Sequence, residues 1–98
     1  METPILDKAI KDLDISRDYA HSEHGKTSMA YQVWDVQVKI LERTRSQAAS
    51  WGVVTEIEAL RAMERRLITT EASTMGMERA KAAIQLAAVR DLLDKLAW

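Results

Sequence analysis

Cysteine and phenylalanine are absent from this 98-residue chain, proline occurs once and glycine three times. Without cysteine there is no disulfide framework and no thiolate metal site. With only four proline and glycine residues, neither a collagen-like repeat nor a low-complexity linker can be built. The glycines Gly25, Gly52 and Gly76 stand alone, which excludes a phosphate-cradling loop and a Gly-x-Ser-x-Gly nucleophile elbow. No stretch approaches the roughly 20 apolar residues of a membrane-spanning helix. Met1 to Ala9 is not a basic stretch leading into an apolar one, so the expected location is cytoplasmic and no membrane partner is expected.

A strong excess of charge is missing too, since 14 Lys and Arg face 15 Asp and Glu, for a net charge of −1. That balance argues against a sequence-independent grip on nucleic acid, which relies on clustered cations. The distribution is less even than the total. Met1 to His24 holds six acids against three bases, whereas Gly25 to Arg66 holds seven bases against five acids. Solvated helix faces account for this pattern, together with attraction between an acidic first segment and a basic middle.

What the chain does have is 47% hydrophobic residues, spaced for helices in one domain spanning residues 1–98. Thr3-Pro4 predicts a helix start, with Thr3 as cap and Pro4 in the first position, where its missing N–H costs nothing. Ile5, Leu6, Ala9, Ile10 and Leu13 then recur at helical spacing up to about His21, and Gly25, in a left-handed conformation, supplies the stop. A second helix is expected over Ser28 to Ser50 on Met29, Val33, Val36 and Ile40. A rival lies inside it: Asp35 to Ile40 alternates strictly, which is a strand signature. Helix is preferred, because Leu41 to Ser50 runs on without a turn residue and no second strand is visible for pairing.

Thr55-Glu56-Ile57-Glu58 reads as a capping box opening a third helix to Thr70, with Val54 stapled onto Ala59. Ile57, Leu60, Met63 and Leu67 form its core face, widened by Ile68. The last helix, Gly76 to Trp98, carries apolar residues on more than one face and is expected to be deeply buried, partly against its own symmetry mate. The fold class is therefore all-α: a small four-helix bundle or pair of helical hairpins. An intertwined dimer is the alternative if the weak Thr69 to Gly76 stretch lets the last two helices run on as one.

Chemistry is sparse. His21 and His24 lie one helical turn apart but lack a third metal ligand, and contact with the helix dipole explains them. Asp12 with Asp14, and Asp91 with Asp94, have the spacing of solvated faces. Arg17, Lys39, Arg43 and Arg61 would be the groups to hold a carboxylated metabolite between helices, yet no constellation specifies a reaction. No enzyme activity, metal or cofactor is expected.

Gln47 to Val53 superficially resembles the first helix and glycine turn of a helix-turn-helix, but Glu56 and Glu58 would then face phosphate. A ribbon-helix-helix built on residues 35–40 meets an entire helix ahead of its strand and is disfavoured. Trp34 and Trp51 are assigned to packing, Met63, Met75 and Met77 to core filling or an adaptable surface. The expected role is a non-catalytic protein–protein interaction module, an adaptor, regulator or inhibitor. It would contact another protein or its own copy as a homodimer through Leu93, Leu96 and Trp98. The alternative is a dimeric DNA-binding regulator using Arg43, Arg45, Arg61, Arg65 and Arg66.

Overall fold

The computed structural model describes residues 2–96. Four helices follow one another: α1 (Pro4–His24), α2 (Met29–Gln47), α3 (Glu56–Ser73) and α4 (Gly76–Leu96), with a 3-10 turn over Ala48–Trp51 between α2 and α3. They form two hairpins, α1 on α2 and α3 on α4, joined chiefly where α2 crosses α4. The described residues contain no strand, so residues 35–40 are helical.

The alternation in that segment has a tertiary cause. Positions two apart on a helix point about 200° away from one another, and α2 packs against each of the other three helices. Val38, Ile40 and Leu41 are consequently all buried, although they face different ways. Together with Leu6 and Ile10 of α1, Leu60, Met63 and Leu67 of α3, and Leu86, Ala88, Val89 and Leu92 of α4, they make one hydrophobic cluster.

The helix starts depart from expectation in instructive ways. Thr3 does not cap α1 with its side chain; its hydroxyl donates to Asp7 instead. The N–H groups of Ile5 and Leu6 donate to the carboxylate of Glu56, at 3.2 and 2.6 Å, and Asp7 N–H donates to the Thr3 carbonyl. With proline at the first position, these bonds satisfy the opening donors of α1. Glu56 is itself the first residue of α3, so one buried carboxylate sits at the start of two helices and ties the hairpins together.

At α3 the Thr55 hydroxyl accepts from Glu58 N–H as expected, but Glu58 reaches back to Val54 N–H rather than to Thr55. Val54 is 74% exposed, so the hydrophobic staple does not form. Gly25 ends α1 with positive φ, but with ψ of 168° rather than in the left-handed helical region. The intertwined alternative is not what the chain adopts: Thr74 is extended and Gly76 takes φ of 63°, which turns α4 back onto α3.

Within the single chain, α4 is buried along one side only. Ala82, Leu86, Ala88, Val89 and Leu92 are buried, but Met77, Ala80, Ala83 and Ala87 are exposed. Alanine is the strongest helix former, which favours helix along that outer face. No helix among the described residues is long and apolar enough to cross a membrane.

Candidate functional site

Four of the residues assigned to function by sequence lie around one hollow, and two lists that sequence kept apart meet there. Leu93 and Leu96 of α4 and Arg61 and Arg65 of α3 line a space of about 460 Å³, with Ile57, Glu64 and Asp94. Leu93 and Leu96 are half-buried and packed on the edge of the core, one turn beyond the buried Val89 and Leu92. Ile57, expected in the core face of α3, is 38% exposed and forms the apolar edge on the opposite helix. Trp98, the third residue of the expected contact set, lies outside the described residues.

The surface continues around α3. Arg65 also lines a second hollow with Ser50, Trp51, Val53, Ala62 and Arg66. The Arg66 guanidinium lies over the Trp51 ring, 4.6 Å from its centroid, which attracts and orders the cation. Trp51 thus does fill the corner before α3, as expected, and carries an arginine on its face as well.

Three of the four acids of α3 are committed elsewhere. Glu56 accepts the α1 amides, Glu58 accepts Val54 N–H, and Glu64 accepts from Arg90 of α4 at 3.1 Å. Arg61, Arg65 and Arg66 accordingly have no carboxylate within ion-pair distance among the described residues. The other two arginines of the nucleic-acid set do not join them: Arg45 is bonded to Asp7 of α1 at 2.9 Å, and Arg43 lies on α2 beside Lys39, Lys81 and Gln85. The connection from α2 to α3 spans residues 48–55, longer than the turn of about three to four residues in a helix-turn-helix. Glu56, counted by sequence against that motif, is buried and unavailable to any phosphate.

The remaining charged candidates serve structure. Asp35, on α2, accepts from Arg17 of α1 at 2.8 Å and from Lys39 at 2.9 Å, and Asp14 completes the group on Arg17. Burial alone would raise the Asp35 carboxyl, but the hydrogen bonds from Lys39 and Arg17 outweigh it and hold it below the usual carboxylate range. Asp7 is lowered by its hydrogen bonds to Arg45 and then Thr3. Arg17 and Lys39 are thus both paired with Asp35. His21 and His24 are exposed at the end of α1, with the His21 ring 5.7 Å from Tyr31. No group of three or more metal-ligating side chains occurs among the described residues.

Sequence reasoning missed a further opening. Between α1 and α4, above Leu41 of α2, runs an apolar groove of about 480 Å³ floored by Ile5, Ala9, Leu13, Ala88, Leu92 and Leu96. Leu96 is shared by this groove and the α3–α4 hollow. Nothing local in the sequence marks it, because each contributing residue reads as ordinary core. Compared with known proteins, the chain matches no family model, no curated protein and no solved structure.

Proposed function

We propose that this chain is a small non-catalytic interaction module that docks another protein on the α3–α4 face. The observation that carries the reading is the hollow in which Leu93, Leu96 and Ile57 supply apolar lining beside Arg61 and Arg65. Apolar side chains set among arginines are a composition enriched at protein interfaces. The same edge of α4 offers Leu96 to the α1–α4 groove, so a partner seated here can extend over a second apolar opening.

DNA binding is the weaker reading, since the five arginines assigned to it fall on different surfaces and Arg45 is already paired. A photo-crosslinking residue placed at position 57 tests the proposal, with the same residue at Ile15, an exposed position on α1, as control. A discrete adduct formed from position 57 but not from 15, and lost in Leu93→Ser, supports docking on this face. Identical adduct patterns from the two positions count against it. Strong binding of a mixed-sequence DNA duplex that falls steeply with salt would favour the regulator reading instead.

A further inference from the structure

We infer that the partner of the α3–α4 face is an acidic amphipathic helix, whose apolar residue enters the hollow while flanking carboxylates meet Arg61 and Arg65. This rests on the docking reading above and adds the chemistry of the occupant. Charge complementarity decides it. Arg61 and Arg65 stand four residues apart on one face of α3, the spacing of two carboxylates one turn apart on an opposing helix.

Their neighbouring acids are engaged by other groups: Glu58 by a backbone amide and Glu64 by Arg90. Asp94 is the one carboxylate of the lining with no ion-pair partner among the described residues, against two such arginines. Arg66, ordered on Trp51, extends the positive edge. The apolar lining of Ile57, Leu93 and Leu96 supplies what a bare phosphate backbone would not use, which favours an amphipathic protein segment over nucleic acid.

The test uses the full chain and two labelled synthetic helical peptides of identical leucine pattern, one with Glu and one with Lys at the flanking positions. Binding is followed by fluorescence anisotropy at low and moderate salt. The Glu peptide is expected to bind, the Lys peptide at least tenfold more weakly, and Arg61→Gln with Arg65→Gln to weaken the Glu peptide about tenfold. Arg79→Gln, about 20 Å along α4 from Leu93, leaves affinity unchanged. Circular dichroism on each variant establishes that it is folded.

Equal binding of both peptides, reduced alike by Ile57→Ser, would overturn the acidic partner while leaving apolar docking standing. Binding of neither peptide overturns the acidic helix. If, besides, no adduct forms from position 57, the docking reading falls with it. A DNA duplex bound more tightly than the Glu peptide, through the same arginines, would replace the protein partner by nucleic acid.

Discussion

At the scale of single residues, Glu56 holds more of the architecture than its surface-like sequence context suggests. Its carboxylate is buried and bonded to two amides fifty residues away in sequence. Glu56→Ala strands those donors in a partly dry environment and is expected to lower stability by about 2–3 kcal/mol in urea titration. Glu56→Gln, which retains an acceptor oxygen, should lose less. The Asp35 group behaves differently because it is partly solvated. Asp35→Asn should destabilise by about 1 kcal/mol at neutral pH, since Arg17 and Lys39 can turn to water.

The pH dependence follows from the lowered Asp35 and Asp7 carboxyls. In acid the unfolded chain takes up protons first, so their contribution is full above the ordinary carboxylate range and is lost as pH falls through the depressed folded values. Thermal melts from pH 7 down to pH 2 should show the wild type losing stability toward acid, and Asp35→Asn losing less. Thr55 as the cap of α3 was legible from sequence, because that bond spans three residues. Glu56 as the cap of α1 was not, because its partner is set by how two hairpins meet.

Among the elements, the turn between α3 and α4 decides the topology. Gly76 occupies φ of 63°, where a Cβ is strained by roughly 1–2 kcal/mol. Gly76→Ala should therefore lower the melting temperature by several degrees, and the open space around that position means that backbone strain rather than a clash is responsible. The helices themselves were readable from spacing, but their ranking in the bundle was not. Apolar residues on several sides of the last segment suggested deep burial there, and within the single chain α2 is the helix packed against all three others. Alanine content and central position give similar patterns in one dimension. Only the arrangement of neighbours separates them, as the exposed Ala80, Ala83 and Ala87 show beside the buried Val38 and Ile40.

For the whole molecule, the attraction expected between an acidic first segment and a basic middle is realised in the Asp7–Arg45 pair, which links α1 to α2 across an exposed surface. Such pairs contribute little, and the shared hydrophobic cluster dominates, so the melting temperature should shift by only a few degrees in 1 M salt. Binding of an acidic peptide should fall over the same range, which separates fold from recognition in one titration series. The all-α class, the approximate helix bounds and the position of the main turns were determined by sequence alone, because periodicity, Thr55 and the isolated glycines act within a few residues. The pairing of hairpins, the trans cap by Glu56, and the meeting of Leu93 and Leu96 with Arg61 and Arg65 were decided by tertiary structure. Those contacts join residues tens of positions apart, and no local preference carries information about which helix faces end up side by side.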